Sequence, residues 1–316
     1  GLSVIKPLIG RRGDVASTAT VMRVRHGRDE GVILGEGIHP WYSDIDTDAM
    51  ARACVDEGVR RVLCAGARID RIAALDNFCW PDPIASERTP DGHHKLAQLV
   101  RCCQGLHAAC VAYGVPLISG KDSMKNDAFL GGIKISIPPT LLVSVIGQTR
   151  DVARSLDLEP RAVGDRLYLL GPTARELAGS EFSRTRVGAG LGPESLGTVP
   201  QTDLALCWAR YRAFADQRDA GRLRSAHVCG RGGLALALAH MVLASERGLE
   251  IDLDGSLDAV SALFSESTGR IVLSCREDDA AALEDALGPH GLRALGRVVA
   301  PPRLTVTRAG ASVLDL

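Results

Sequence analysis

The chain has 316 residues, 46% of them apolar and 24% charged, with 37 Lys plus Arg against 38 Asp plus Glu and a net charge of −1. That length suits about two globular domains, and the even charge offers no basic field for nucleic acid or for an acidic membrane surface. No apolar run approaches the about 20 residues of a membrane span, the start lacks a signal-peptide layout, and nine cysteines without a CxxC pair read as reduced thiols of a cytoplasmic protein.

In chain order, "EGVILGEGIHP" reads as a strand and its exit turn. A helix follows over "DTDAMARACVDEGVRRVLCAG", with Asp46 or Thr47 as the N-cap whose side-chain oxygen accepts from orphan N–H groups. "HKLAQLVRCCQGLHAACVAYG" reads as a second helix. Its apolar face carries Leu96, Leu99, Val100, Cys103, Leu106, His107 and Cys110, and Gly114 suits a left-handed exit. "VPLIS" reads as a short buried strand that turns at Ser119–Gly120, and "GGIKISIPPTLLVSVIG" as two strands broken at Pro138–Pro139. The charged, turn-rich "RDVARSLDLEPRAVGD" then marks a boundary, which gives domains 1–150 and 151–316.

The second domain opens on the strand "LYLLG", with a short helix around Arg175–Ala178. "QTDLALCWARYRAFAD" is a helix striped by Leu204, Cys207, Trp208, Tyr211 and Phe214. "GGLALALAHMVLASERG" is apolar nearly all round, as a core helix would be. Strands "LEIDL" and "GRIVLSC", helix "DAAALEDALG", and strands "ALGRVVA" and "RLTVT" complete a mixed α/β fold of two sheets backed by helices.

Five places are candidates for chemistry. "PLISGKDSMKND" sets Lys121, Asp122 and Ser123 beside Gly120. It is no Walker A loop, but a Gly admits backbone N–H groups, a Lys adds charge and an Asp offers hard oxygen for Mg²⁺, against the plainer reading of a polar turn. Asp76, in "AALDNFCWPDP", is a nucleotide or metal carboxylate, or else an Asx-turn. Glu57 shares a helix stripe with Met50, Ala53 and Cys54, so it needs either Mg²⁺ or Arg60 or Arg61 as partner. Asp14 binds metal or caps its turn. "VCGRGGLALALA" is a Gly-rich helix start, a phosphate cradle or a packing turn. The scattered histidines have no metal-ligand spacing and read as structural.

Taken in order, "GEGIHPWYSDIDTDAMARACVDEGVRRVLCAGA", "LDNFCWPDP", "PLISGKDSMKND", "LYLLGPTARELAGSEF", "GRGGLALALA" and "LFSESTGRIVLSC" resemble the second synthetase half of the phosphoribosylformylglycinamidine synthase family. Aminoimidazole ribonucleotide synthetase and selenophosphate synthetase share the two-domain unit. The resemblance implies an ATP-dependent C–N ligase of purine biosynthesis. It phosphorylates the amide oxygen of formylglycinamide ribonucleotide, and glutamine-derived ammonia then displaces phosphate. Its partners are a first synthetase half, joined as a dimer or pseudo-dimer through first-domain sheets, and a glutaminase on the same chain or another.

By motif match, Asp76, Gly120 and Lys121 contact ATP, Asp122 takes the metal position beside Lys121, and Ser123 contacts substrate. Asp14 and Glu57 match acidic Mg²⁺ ligands of an auxiliary nucleotide site. The family's Asn four positions after Glu57 is here Arg61, and Val228 and Arg231 replace acids of its H-D-x-S-D-G-G-L pattern. The catalytic histidine belongs to the first half, so the chain by itself is expected to be inactive, and its ends read as those of a fragment. Two rival readings are a structural half that binds no nucleotide and a related ATP-dependent synthetase.

Overall fold

Alternating burial along two long strands sets the centre of the first sheet. The computed structural model describes all residues, 1–316. The first half contains β1 (Ser3–Ile5), β2 (Leu8–Ile9), β3 (Val15–Ala16), β4 (Thr20–Arg23), β5 (Gly31–Ile38), α1 (Thr47–Ala65), β6 (Ile72–Cys79), α2 (Gly92–Tyr113), β7 (Leu117–Ser123), β8 (Asp127–Leu130), β9 (Ile133–Ser136) and β10 (Thr140–Thr149). Six strands form one sheet in the order β1-β4-β5-β10-β6-β7, antiparallel except for the parallel β6–β7 pair. In β5 and β10 the odd-numbered residues are buried beneath α1, while the even-numbered ones are partly or fully exposed on the other face. One face of this sheet is therefore helix-covered and the other is open, with Val32, Leu34, Ile38, Leu142 and Ile146 on it.

The caps follow the sequence. The Asp46 side chain accepts from the N–H groups of Asp48 and Ala49 at 2.9 and 3.3 Å, and Gly66 ends α1 in the left-handed region. Gly114 ends α2 the same way. α1 sits close on the sheet because Gly37 has no side chain: a Cβ there would stand 2.0 Å from the Cys54 carbonyl oxygen.

The second half contains β11 (Arg166–Leu170), α3 (Pro193–Leu196), α4 (Leu204–Asp219), β12 (Ser225–Val228), α5 (Gly233–Ala244), β13 (Gly248–Leu253), α6 (Ala259–Phe264), β14 (Ile271–Cys275), α7 (Glu277–Leu287), β15 (Leu292–Val299), β16 (Leu304–Arg308) and β17 (Ala311–Asp315). Its seven-stranded sheet runs β12-β14-β11-β15-β13-β16-β17. One face is covered by α5, and the other is covered over β12, β14 and β11 but leaves Glu250, Asp252 and Arg297 exposed further along the sheet. Leu167, Leu169 and Val272 pack with α5, whereas Tyr168, Leu170, Ile271 and Leu273 share a core with α4, α7 and the first half. A buried carboxylate joins the halves: Asp56 accepts from the Tyr113 hydroxyl at 2.8 Å, from the Tyr211 hydroxyl and from the Gly269 N–H at 3.1 Å, and pairs with Arg60 at 3.1 Å. Arg60 in turn donates to the carbonyls of Cys229 and Arg270 at 2.8 and 2.6 Å.

The expected mixed α/β architecture is the observed one, and four local expectations need correction. Residues 175–178 are not helical, because their main chain pairs with residues 196–198 instead. The strand expected over 115–119 runs on through Ser123 and is exposed, not buried, since it is the last strand of its sheet. On α2 the face against α1 is the small-residue face, Cys102, Gly105, Ala109 and Cys110, with Leu106. A Cβ on Gly105 would lie 2.6 Å from the Asp48 carbonyl oxygen, so only small residues permit that approach. Leu96, Val100, Cys103 and His107 consequently face outward. α5 buries Leu234, Leu238 and Met241, but Leu236 and Leu243 are exposed, so it covers the sheet on one side only.

Candidate functional site

The segment 120–123 is a strand, and a strand sends alternate side chains to opposite faces. In the parallel pairing, Asp76 faces Gly120, Asn77 faces Lys121, Phe78 faces Asp122 and Cys79 faces Ser123. Asp76, Gly120 and Asp122 therefore lie on the helix side, beside α2. Asn77, Lys121 and Ser123 lie on the open side, where the Lys121 ammonium donates to the Ser123 hydroxyl at 2.7 Å. Lys121, Asp122 and Ser123 are thus not one cluster on a tight turn. They straddle the free edge of the sheet.

Gly120 exists for its neighbour. A Cβ there would stand 2.7 Å from Asp76 Oδ1, so glycine makes the room that the carboxylate occupies. Burial pushes the Asp76 carboxyl above the usual aspartate range, and the nearby Asp122 charge pushes the same way. Two carboxylates that repel each other at a partly exposed edge form a pair that a cation would relieve. Mg²⁺ commonly takes one or two carboxylates and completes its shell with water and phosphate oxygens, and Asp76 with Asp122 fits that habit. Beside Lys121, the Asn77 Oδ1 is buried with no hydrogen-bond partner. Asn126 fixes the end of the strand by donating to the carbonyls of Ser123 and Trp80 at 2.8 and 3.2 Å.

Glu57 lies in a second, closed place between α1 and the 230–232 turn. Its carboxylate is fully buried. Arg61 Nη2 and Nε meet Oε1 at 2.6 and 2.9 Å, and His39 Nε2 stands 2.7 Å from Oε2. Burial would raise this carboxyl, but Arg61 and then His39 hold it well below the usual glutamate range. His39 stacks on Tyr42 at 4.7 Å, and the Tyr42 hydroxyl donates to Glu266 at 2.7 Å. Glu266 also accepts from the N–H groups of Gly232 and Glu181, both at 2.8 Å. A cavity of about 390 Å³ opens alongside, lined among others by Arg61, His227, Arg231 and His240, and the Arg231–Glu181 pair at 2.6 Å stands on its wall.

Asp14 sits in an exposed turn and makes no hydrogen bond or ion pair with Glu57. No three His, Cys, Asp or Glu side chains converge on one point. The residues around Glu57 do not fit a metal ion, because its oxygens already face a guanidinium and an imidazole. Of the two partners that the sequence offered, Arg61 is the one that takes Glu57, while Arg60 takes Asp56.

Two residues here escaped sequence reasoning. His39 is 18 positions from Glu57, and no local spacing links them. Asn77 was masked by its neighbour Asp76, although the register of two parallel strands through one motif would have paired it with Lys121.

The family model described as AIR synthase related protein, N-terminal domain, matches residues 16–149, and that described as AIR synthase related protein, C-terminal domain, matches residues 162–309. The chain belongs to the AIR synthase related family. Among family relatives it is 32% identical over 300 residues to phosphoribosylformylglycinamidine synthase subunit PurL of Deinococcus radiodurans, covering 92% of this chain and 38% of that protein. The PurL subunit of Thermobifida fusca is 33% identical over 293 residues, with 92% and 36% covered. The AIR synthase related fold is shared with the solved Thermotoga maritima PurL complexed with FGAR, at a TM-score of 0.75 and 19% identity, over 98% of this chain and 48% of that one. The chain therefore spans less than half the length of these family members. No helix in it is long and apolar enough to cross a membrane.

Proposed function

We propose that this chain is one synthetase unit of a phosphoribosylformylglycinamidine synthase, an ATP-dependent C–N ligase acting on formylglycinamide ribonucleotide with ammonia released by a glutaminase. The observation that carries the reading is the half-open first sheet, whose uncovered apolar face ends in Asn77, Lys121 and Ser123 at the free edge. A first synthetase half laid on that face, as a pseudo-dimer partner, covers Leu34, Leu75, Leu142 and Ile146 and brings its own residues against this edge. The resemblance supports the same arrangement, and the Thermotoga protein with FGAR supports the substrate class.

An amide oxygen is a poor leaving group, and phosphorylation makes it a good one. Phosphoryl transfer needs positioning and charge neutralisation more than covalent help. When bound, Mg²⁺ supplies charge for the ATP phosphates. Asp76 and Asp122 would hold it on the helix side of the edge, and Gly120 leaves their space free. Lys121 presents a cation to phosphate from the open side, and Ser123, held by Lys121, faces the substrate. A ligand touching both sets must run along the outer rim of β7, because the strand separates them. Asp14 and Glu57, the other acids matched to metal, take no part in this step.

The test is reconstitution with a first half and a glutaminase. Amidine formation should need all three together with ATP and glutamine, and this chain with ammonia should give none. Asp76→Asn and Lys121→Ala should each lower turnover roughly tenfold or more with melting unchanged. Turnover by the chain without partners, or full activity in both variants, overturns the assignment. A second reading, a structural half without nucleotide, is favoured by the closed state of Glu57, and it predicts that neither variant matters.

A further inference from the structure

We infer that the Arg61 guanidinium is the resident cation of the Glu57 pocket, so this pocket is held together without a divalent metal. The inference concerns the interior of the fold and does not rest on the proposed function. A carboxylate buried to this degree must be neutralised where it stands. Arg61 does so at 2.6 Å and also donates to the Thr18 carbonyl at 3.2 Å, which fixes the fork. His39 Nε2 stands 2.7 Å from the second oxygen as an ion-pair contact, although Oε2 has no aligned hydrogen-bond donor.

The remaining approach is blocked by main chain. A Cβ on Gly230 would lie 2.6 Å from Glu57 Oε1, so the turn itself rests on the carboxylate. Mg²⁺ requires six oxygens at about 2.1 Å and gives up its waters reluctantly. The donors for that shell do not exist here, because a guanidinium and an imidazole face the carboxylate. The cavity wall repeats the pattern, since Arg231 is paired with Glu181. His227, with its Nδ1 2.7 Å from the Thr18 hydroxyl, faces the same cavity. Burial, and then Arg61, hold its imidazole in the neutral form. A second cation entering would meet a guanidinium where it needs an anion.

Thermal melting of the full chain tests this, with EDTA, with MgCl₂, and with MgCl₂ plus ADP. The wild type should melt at one temperature in EDTA and in MgCl₂, and any rise that ADP adds with MgCl₂ should vanish in Asp76→Asn and persist in Glu57→Gln. Arg61→Asn should melt lower by on the order of 5 °C, because Glu57 loses its cation. Arg61→Lys should fall between, since a point charge keeps the neutralisation but not the fork. It carries the comparison if Arg61→Asn does not fold. Two results overturn the inference. One is a Mg²⁺-dependent rise with ADP that survives in Asp76→Asn and vanishes in Glu57→Gln. The other is Arg61→Asn and Arg61→Lys both melting with the wild type. Loss of synthase turnover in Asp76→Asn bears on the sheet edge and leaves this question untouched.

Discussion

The interior of α1 and the edge of the first sheet handle carboxylates in opposite ways. On α1, Asp56 and Glu57 are buried side by side, and each has its own arginine one turn on, at 3.1 and 2.6 Å. At the edge, Asp76 and Asp122 have no ion-pair partner, and burial, helped by the Asp122 charge, pushes the Asp76 carboxyl above its ordinary range. The first arrangement spends its charge on holding two halves together. The second keeps charge unsatisfied where solvent and ligands reach. An arginine four residues after a buried helical carboxylate thus makes that carboxylate a strut.

The contrast can be broken most directly at Arg60. Arg60→Ala leaves Asp56 buried beside two tyrosines and one N–H group, and should cost about 3–5 kcal/mol by urea denaturation. A cost as small as that of an edge substitution would erase the distinction between the regions. Gly120→Ala is the next largest. Its added methyl meets Asp76 Oδ1, and the expected loss is about 1–3 kcal/mol. The loss should shrink in the double variant with Asp76→Ala, because the atom being struck is gone. An undiminished loss would mean that backbone strain, not the carboxylate, makes glycine necessary.

The smallest effect is in the pH profile, and its sign differs between the regions. The Glu57 carboxyl is depressed in the folded chain, so its stabilisation is present above the ordinary glutamate range and disappears as the pH falls. The Asp76 carboxyl is raised, so its contribution favours the fold at acid pH and is lost as the pH rises through its folded value. Relative to wild type, Asp76→Asn should gain stability from acid to neutral pH, and Glu57→Gln should lose it. Urea midpoints across that range decide the matter, and equal slopes in the two variants would contradict the assignment.

Much of the frame was legible because it rests on local chemistry. Asp46 opens α1 and Gly114 closes α2 by short-range rules, and these hold whatever the tertiary surroundings. The edge was misread because Ser119, Gly120, Lys121 and Asp122 have turn-like propensities, while parallel pairing with β6 imposes a strand. Strand β12 was not seen, since Ser225 and His227 interrupt an apolar run that is in fact buried throughout. The apolar stripe of α2 had the correct period but the wrong destination. Periodicity reports that a face is apolar, and it does not say whether the same chain covers it. Of the candidate site residues, Asp76 and Gly120 lie opposite each other in the β6–β7 pairing. The split of Asp122 from Lys121 and Ser123 needed the strand to be known.

β7 is the last strand of its sheet, so a row of its main-chain donors and acceptors, from Leu117 to Ser123, points away from any neighbour. A bare rim of this kind is a template for another polypeptide, whatever its sequence. Kept concentrated by itself, the chain is expected to pair edge to edge through this rim. Lys121 and Asp122, one projecting from each surface of the ribbon, are the ionic brakes that slow indiscriminate zippering.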